Sequence, residues 1–377
     1  MSTLFTDEQR LLGESLEQFA AGRYSFDQRR ERMVSAEGYS QEIWRDFAEL
    51  GWLGLPIAEA DGGFGGGLAD AAVHMEGFGR MLVLEPYVPT VLLGAQLLSA
   101  IGSADQRLEN LPKVSDGSRK LCLAHSERQA RFDLSDVKTE ARRNGSGLIL
   151  NGHKCVVLGA PAADVLLVSA RTGGGQREAD GISLFMLPRD ADGVTVRGYR
   201  TQDGHPAGDV TLDEVKVDEA ALVGPVGKAF QPISHAIHRT SIALCAEAVG
   251  AMDALNQMTY EYLRTRQQFG APLGTFQSLQ HRAVEMEMAH KVSAALVHRM
   301  ARTADANAEL LPACAAAAKA EVGRSGKFVG QQAIQLHGGI GMTDEYAAGH
   351  YFKRITMIDQ LFGNADHHVG QFAALGS

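Results

Sequence analysis

Residues 264–281 combine cationic and amide side chains with a turn, which is a combination suited to binding a phosphate group. Arg264, Arg266 and Gln268 precede the turn, and Gln277 opens the helical pattern that follows it. A guanidinium group is a planar fork of five N–H donors that matches phosphate oxygens, and the N-terminus of a helix favours anions. The segment therefore predicts a clamp for a pyrophosphate. The alternative is an ordinary helix–helix connection with solvated arginines, because turn residues mostly only reverse the chain.

The turn is predicted from three residues that interrupt a helical pattern. This pattern reaches the segment from about residue 231, and Gly270, Pro272 and Gly274 break it. A second helix is predicted to begin near Phe276. The cationic residues are therefore expected at the end of one long helix and the start of another.

Two blocks of sequence, about sixty residues apart, contain glycine, glutamine and aromatic residues in a distinctive order. The first block contains Arg266, Phe269, Gly270, Phe276 and Gln277. The second contains Gln335, Leu336, His337, Gly338, Gly339, Ile340, Gly341, Glu345 and Tyr346. Together they resemble the flavin-binding signatures of the acyl-CoA dehydrogenase family, and the resemblance covers essentially the whole chain. Within that family the chain looks closest to the small subunits of pimeloyl-CoA dehydrogenase-type enzymes.

The resemblance implies non-covalently bound FAD and the α,β-dehydrogenation of an acyl-CoA thioester, as in fatty acid β-oxidation. In the family a carboxylate removes the α-proton, the β-hydrogen leaves as hydride to the flavin, and a flavin ribityl hydroxyl and a backbone N–H stabilise the thioester oxygen. A medium-chain or dicarboxylyl acyl group is expected, with electrons passed to an electron-transferring flavoprotein. The flavin-binding residues implied are Arg266, Gln268, Phe269, Phe276, Gln277, Gln335, Leu336, Gly338, Gly339, His125, Ser126 and Leu158.

The catalytic glutamate of the family is missing from both of its usual positions. Aligned without gaps after Arg354, Gly363 stands at the commoner position and keeps only a backbone N–H. The alignment puts Thr240 at the other position, early in the first helix of the C-terminal segment. Glu247 lies two helical turns beyond Thr240 in an otherwise apolar run, so it is the candidate replacement base. A structural ion-pair partner is the equally weighted alternative for this carboxylate.

Four other titratable residues are weaker candidates for chemistry. His238 and Asp366 are secondary candidates for the base, although a helical histidine or an aspartate near a turn more often caps or faces solvent. His367 and His368 do not predict a metal site, because no third ligand is spaced to join them.

The middle of the chain also departs from the family pattern. Residues 127–133 replace its Glu-Pro-Gly-x-Gly-Ser-Asp motif, and Val156, Val157 and Leu158 replace the Trp-Ile-Thr that shields the flavin. Ser126 is still expected to donate to the flavin ring. These departures favour a second hypothesis, in which a catalytically weak or inactive subunit completes the flavin site of a partner in a heterotetramer. A third hypothesis is a flavin-dependent oxidase or monooxygenase on the same scaffold, since fold does not fix chemistry.

The order of the periodic patterns predicts an α+β chain with three domains. Helical spacing dominates residues 1–115, short alternating runs dominate 116–225, and helical spacing returns in 226–377. These segments predict an N-terminal α-helical domain, a β-barrel or sandwich domain and a C-terminal four-helix bundle, which is also the acyl-CoA dehydrogenase-like architecture.

Local signals add detail to this architecture. Thr6 and Gln9 predict a capping box at the first helix, and the Asn151-Gly152 pair predicts a hairpin turn. Residues 313–320 and 328–336 predict the third and fourth helices of the bundle.

Composition narrows the class of protein. The chain has 377 residues, a formal net charge of −9 and a pI near 5.8, which argues against nucleic acid as the main partner. Four widely spaced cysteines are typical of reduced thiols in an intracellular protein. Neither a signal peptide nor an apolar run long enough for a membrane span is visible. We therefore expect a cytoplasmic flavoenzyme or enzyme subunit, in a homo- or hetero-oligomer because the family shares its flavin between subunits.

Overall fold

The first helix begins at a capping box. In the computed structural model, which describes residues 5–145 and 147–375, the Gln9 N–H donates to Thr6 Oγ1 at 3.2 Å and the Thr6 N–H donates to Gln9 Oε1 at 3.2 Å. These two bonds satisfy N–H groups that have no partner inside the helix. The predicted capping box is confirmed.

Helices occupy both ends of the chain. In chain order they are α1 (Asp7–Arg23), α2 (Phe26–Val34), α3 (Gln41–Glu49), α4 (Leu68–Met81), a π-helix (Val88–Ala95), α5 (Gln96–Ile101), α6 (Ala104–Ser115), α7 (Phe230–Thr265), α8 (Gln277–Ala306), α9 (Leu311–His337), α10 (Ala347–Gln360) and α11 (Ala365–Leu375). Among the described residues, none of these helices combines the length and apolar character needed to cross a lipid bilayer.

Strands occupy the middle of the chain, apart from one short hairpin between α7 and α8. They are β1 (Leu121–Ala124), β2 (Glu140–Asn144), β3 (Gly147–Leu158), β4 (Val165–Arg171), β5 (Ile182–Pro188), β6 (Val194–Arg200), β7 (Pro206–Val217), β8 (Leu222–Val223), β9 (Gln267–Gln268) and β10 (Ala271–Pro272). The first eight form one sheet in the order β6-β7-β3-β2-β4-β5-β8, with β1 parallel to β4. The helical–β–helical α+β architecture is thus confirmed.

The chain forms two compact units. The first comprises the chain up to Arg30, Gly67–Val83 and the chain from Ser241 onward. The second comprises Glu31–Gly66 and Leu84–Thr240, and it contains the eight-stranded sheet. The N-terminal helices contribute to both units, so the domain boundaries after residues 115 and 225 stay predictions.

The Asn151-Gly152 pair does not form the hairpin turn that its sequence predicts. Both residues lie inside β3, at an irregularity of its pairing with β7, and the chain reverses earlier, between β2 and β3. A Cβ atom at Gly152 would lie 2.4 Å from Thr139 Oγ1. Glycine is therefore required here by a close neighbour rather than by a turn, which is a common reason for glycine inside a strand.

Residues 313–320 and 328–336 form one helix, α9, rather than the two predicted helices. The glycines between and within these segments face α10. Cβ atoms at Gly323, Gly326 and Gly330 would lie 2.2–2.5 Å from side-chain atoms of Asp359, Ile355 and Phe352. These glycines make room for the packing of α10 and do not end the helix.

Within the first unit, α4 and α7 cross through two glycines. A Cβ atom at Gly79 would lie 1.9 Å from the carbonyl oxygen of Glu247, and one at Gly250 would lie 1.8 Å from that of Glu76. The two backbones therefore approach more closely than any side chain permits. This crossing fixes the position of α7 against α4 at the level of Glu247.

We expect Gly250→Ala to lower the free energy of unfolding by about 3 kcal/mol, because the new methyl group forces the two helices apart. Gly13→Ala in α1 is the matched control, since no atom lies within 4 Å of its Cβ position. That control should stabilise the protein by about 0.5–1 kcal/mol. Thermal unfolding followed by circular dichroism measures both, and equal effects of the two variants would contradict the close crossing.

Candidate functional site

The hairpin between α7 and α8 presents an aromatic side chain at its tip. Its strands β9 and β10 pair, and Phe269 and Gly270 at the turn have φ angles of 54° and 81°. Two-residue turns with positive φ at both positions suit hairpins, but this conformation is strained for a bulky residue such as phenylalanine. Phe269 is nevertheless 92% exposed, and its ring meets that of Phe276 edge-to-face with centroids 6.1 Å apart.

The two predicted sequence blocks meet at one pocket of about 480 Å³ in the first unit. It is lined by Tyr262, Arg266, Gln268, Leu273, Gln335, Leu336, His337, Gly338, Gly339 and Ile340. Six of the residues implied for cofactor binding therefore lie together, although Phe269, Phe276 and Gln277 lie outside the lining. Gln277 begins α8, as the sequence predicted.

The wall formed by the end of α9 is open and carries an unused polar atom. At Gly338, which has a φ of 63°, and at Gly339, no atom lies within 4 Å of a Cβ position. His337 is buried, and its Nε2 has no hydrogen-bond partner within the described residues, whereas Nδ1 lies 2.8 Å from the Ala333 oxygen. With the guanidinium of Arg266, this wall offers hydrogen bonds and close backbone approach, so the residues present fit a dinucleotide such as FAD.

The predicted base Glu247 forms a buried, bidentate ion pair. Arg354 donates from Nε to Glu247 Oε1 at 2.5 Å and from Nη2 to Oε2 at 2.7 Å. The Glu247 side chain is 2% exposed and that of Arg354 is 5% exposed. Both carboxylate oxygens therefore accept hydrogen bonds from a cation, which favours the ion-pair alternative over the catalytic one.

Gly363 lies in a turn that leaves no room for a side chain. Its φ is 113°, and a Cβ atom there would lie 2.5 Å from His367 Cδ2 and 2.8 Å from His368 Nε2. The preceding residue, Phe362, has a φ of 60°, and its carbonyl oxygen lies 3.1 Å from His368 Nε2. Gly363 is buried, and no acceptor for its N–H is found in the described parts of the chain. The turn therefore offers a hydrogen-bond donor and excludes a carboxylate.

Lys319 holds this turn in place, a role that the sequence analysis missed. Its ammonium group is buried in α9 and donates to the carbonyl oxygens of Ile358, Asp359 and Leu361 at 2.5, 3.0 and 2.8 Å. Burial lowers the pKa of Lys319 to about 8. A cation at the C-terminus of α10 satisfies unpaired carbonyls and the helix dipole. The signal in the sequence was a single lysine within an alanine-rich run, comparable to Glu247 within its apolar run.

Thr240, which the sequence analysis aligned with the second position of the family base, makes a buried hydrogen bond. Thr240 is buried, and its hydroxyl donates to the Leu92 oxygen of the π-helix at 2.9 Å. The pKa of His238 is lowered to about 4, by burial and then by the charge of His235. His367 and His368 stack edge-to-face, and the described residues contain no group of three or more potential ligands arranged around a metal ion.

The second unit surrounds His125 with a buried polar network. Its Nδ1 lies 2.8 Å from Ser169 Oγ, and Lys154 Nζ donates to Ser169 Oγ at 3.0 Å and to Glu127 Oε1 at 2.7 Å. Burial, with the Lys154 charge, lowers the pKa of His125 to about 3, so the imidazole is neutral. Burial also lowers the pKa of Lys154 to about 8, against the opposing effect of Glu127. The network fixes the end of β1 next to Ser126.

The strand segment that the sequence analysis aligned with the family's Trp-Ile-Thr motif forms a strained bulge. The pairing of β3 with β7 shifts between Lys154 and Val157, and Val156 has a φ of 52°, which is unfavourable for a β-branched residue. The Val156 N–H donates to Tyr199 Oη at 3.1 Å, and the Tyr199 hydroxyl donates to Asp209 at 2.8 Å. Leu158 follows the bulge and pairs with Ala207.

Three domain models of one family match nearly the whole chain. The N-terminal, middle and C-terminal domains of acyl-CoA dehydrogenases match residues 6–118, 122–215 and 230–374. These matches define the class of the protein, which is FAD-dependent oxidoreductases acting on CH–CH bonds. The chain belongs to the acyl-CoA dehydrogenase family. The predicted family is thus confirmed, whereas the pimeloyl-CoA subtype stays a prediction.

Individual relatives agree with this assignment. The probable acyl-CoA dehydrogenase YngJ of Bacillus subtilis (strain 168) is 28% identical over 92% of this chain and 92% of its own. A variant of the Tcur3481-Tcur3483 steroid ACAD is 31% identical, with a TM-score of 0.87 over 98% of this chain and 97% of its own. The ChsE4-ChsE5 complex from Mycobacterium tuberculosis is 24% identical, with a TM-score of 0.88 over 99% and 97% of the two chains, and shares the fold.

We expect Arg354→Met to lower the free energy of unfolding by about 3–5 kcal/mol, because it leaves the Glu247 charge buried without a partner. The double variant Glu247→Met/Arg354→Met removes both charges and should recover most of this loss. Urea unfolding followed by circular dichroism compares them. Equal losses in the single and double variants would mean that the ion pair is not what the stability depends on.

The stability of the protein should fall as the pH drops from about 4.5 to about 2, in part through Glu127. Burial opposes its ionisation, but the Lys154 charge and hydrogen bonds from Lys154, Gln129 and Thr139 outweigh burial and lower its pKa from 4.5 to about 2. The unfolded state therefore binds the proton first, and stability is lost through this pH range. Glu127→Gln should show a shallower decrease of melting temperature with falling pH, whereas exposed Glu14→Gln should match the wild type.

Proposed function

We propose that the chain is a subunit of an FAD-dependent acyl-CoA dehydrogenase complex and contributes a cofactor pocket and an oxyanion donor but no catalytic base. The α-proton is then removed by a glutamate of a homologous partner subunit. The observation that carries this proposal is the bidentate ion pair of Glu247 with Arg354. A base needs an oxygen that is free to accept a proton, and both oxygens of Glu247 are engaged by a guanidinium group.

The turn at Gly363 also supports a chain that supplies an oxyanion donor while a partner subunit supplies the base. Its N–H has the chemistry of a donor for a thioester oxygen, and His367 and His368 fill the space that a glutamate side chain needs. Lys319 keeps this donor at a fixed position by binding the end of α10. In this proposal the chain stabilises charge on an acyl-CoA thioester without removing the proton.

The pocket of the first unit is the proposed cofactor contact. Arg266 and Gln268 would hold phosphate or ribose oxygens, and the open backbone at Gly338 and Gly339 would lie against the dinucleotide. Bound FAD would supply the acceptor for the hydride that leaves the β-carbon of the acyl group. The strongly exposed Phe269 is available to a cofactor shared with a neighbouring subunit.

The name of one relative supports a hetero-oligomeric assembly. It also suggests that a bulky acyl group should be included among the substrates to be tested. The name of the 31% identical steroid ACAD joins two gene products, Tcur3481 and Tcur3483. We therefore extend the expected medium-chain and dicarboxylyl CoA esters to a CoA ester of a steroid carboxylic acid. Electron-transferring flavoprotein is the proposed acceptor. A cytoplasmic location is proposed because the four cysteines are free thiols.

The purified chain, supplied with FAD, should either bind flavin weakly or bind flavin that stays oxidised. None of these CoA esters should reduce the bound flavin under anaerobic conditions. The flavin absorbance band reports reduction, and dithionite is the control that shows whether the bound flavin is reducible. Adding a homologous subunit that carries the family glutamate should give rapid bleaching, which is lost when that glutamate is changed to glutamine.

Three outcomes would overturn this proposal. Bleaching by the chain alone that disappears in Glu247→Gln, with flavin still bound, would establish an autonomous dehydrogenase with Glu247 as its base. Bleaching that survives this substitution would assign the base elsewhere, with His238 and Asp366 tested next. Oxygen consumption with an acyl-CoA, without an electron-transferring flavoprotein, would identify an oxidase or monooxygenase.

A further inference from the structure

A buried lysine binds the residues on both sides of Ser126. Lys154 of β3 is 0% exposed, and its Nζ donates to the His125 carbonyl oxygen at 3.3 Å and to Glu127 Oε1 at 2.7 Å. It also donates to Ser169 Oγ at 3.0 Å. An ammonium group has three N–H donors, so Lys154 uses all of them inside the second unit. One cation thereby holds the chain immediately before and immediately after Ser126.

The position of His125 depends on Lys154 more than the position of Glu127 does. Lys154 binds the His125 carbonyl directly, and it binds the His125 ring through Ser169, whose Oγ lies 2.8 Å from Nδ1. The Glu127 carboxylate accepts four further hydrogen bonds of 2.7–3.0 Å, from the N–H groups of Lys138 and Thr139, the Thr139 hydroxyl and the Gln129 amide. Without Lys154 the carboxylate would still be held, whereas the His125 carbonyl would lose the hydrogen bond that holds it.

Ser126 lies between these two buried residues and is itself partly exposed. Its carbonyl oxygen accepts a hydrogen bond from the Cys155 N–H at 2.9 Å, so the residue after Lys154 holds it as well. In the described parts of the chain, the Ser126 hydroxyl has no hydrogen-bond partner. A hydroxyl that is available as a donor therefore lies on a backbone that two consecutive residues of β3 hold in place.

We propose that Lys154 positions the Ser126 hydroxyl for the flavin and thereby raises the affinity of the chain for FAD. The inference rests on the proposed function, in which the chain contacts FAD, and on the expected role of Ser126 as a donor to the flavin ring. A group that is already held in place loses less conformational freedom when a ligand binds, which strengthens binding. Because Lys154 is buried, it acts through the residues that it binds and is a positioning residue.

A double-mutant cycle tests whether Lys154 acts through Ser126. Ser126→Ala removes the hydroxyl, and Lys154→Met removes the ammonium group but keeps a long side chain. Each should weaken FAD binding by about tenfold, which corresponds to one hydrogen bond. Ser126→Ala/Lys154→Met should bind FAD no more weakly than Lys154→Met, because the displaced hydroxyl has already lost its contact. Titration of the full chain with FAD, followed by flavin fluorescence, measures all four proteins.

Two controls separate this effect from a loss of folding. Lys216→Met removes the charge of an exposed lysine in the same sheet and should leave the FAD affinity unchanged. Lys154→Met leaves the Glu127 carboxylate buried without its cation, so it should lower the melting temperature. If Lys154→Met does not fold, the cycle is repeated with Glu127→Gln/Lys154→Met, which removes both charges.

The visible absorption band of the bound flavin gives a second readout. Ser126→Ala and Lys154→Met should shift this band alike, since both remove the same hydrogen bond to the flavin ring. A general loosening of the fold would not produce matching shifts.

Two results would overturn the inference and leave the proposed function intact. Unchanged FAD affinity in either single variant would show that the placement of the Ser126 hydroxyl does not contribute to binding. Additive losses, about a hundredfold in the double variant, would show that Lys154 supports the fold and does not act through Ser126. A wild-type chain that binds no FAD would overturn this inference together with the proposed cofactor contact.

Discussion

A buried ion pair between Glu247 and Arg354 joins two helices of the first unit. It ties α7 to α10 through two charge-assisted hydrogen bonds in a place that water does not reach. Buried charges are tolerated only as a satisfied set, so neither residue can change alone without a large cost. Because α10 ends at Gln360, the position of this helix also sets the turn at Gly363. The same contact engages both oxygens of Glu247, a carboxylate that lies buried in this unit.

Local signals predicted a large part of the fold, because the forces behind them act within a few residues. The Thr6 capping box and the start of α8 at Gln277 are examples. The predictions failed at glycines that are required by the packing of a residue distant in sequence. Gly152 is required by Thr139 across the sheet, and Gly326 is required by Ile355 of α10. The pair Asn151-Gly152 was therefore assigned to a turn, and the segment around Gly326 was assigned to a break between two helices.

The motifs of the candidate site were predicted from the sequence, but the partners of its buried charges were not. The two motifs that pointed to a flavin site, one containing Arg266 and the other Gln335, do line one pocket. Each motif lies at the end of a long helix. The partner of Glu247 lies 107 residues away, and the carbonyls bound by Lys319 lie about 40 residues away. No local pattern encodes such pairings. The available signal was a single charge within an apolar helix face, which indicates that a partner exists but not which residue it is.

The packing at Gly363 limits which residues this position can accept. His367 and His368 occupy the space next to it, and Phe362 adopts a conformation that only this tight turn requires. A glutamate introduced at this position by a single substitution would meet both imidazoles. A larger side chain at position 363 would therefore need compensating changes at His367 and His368, so the turn and the two imidazoles constrain one another.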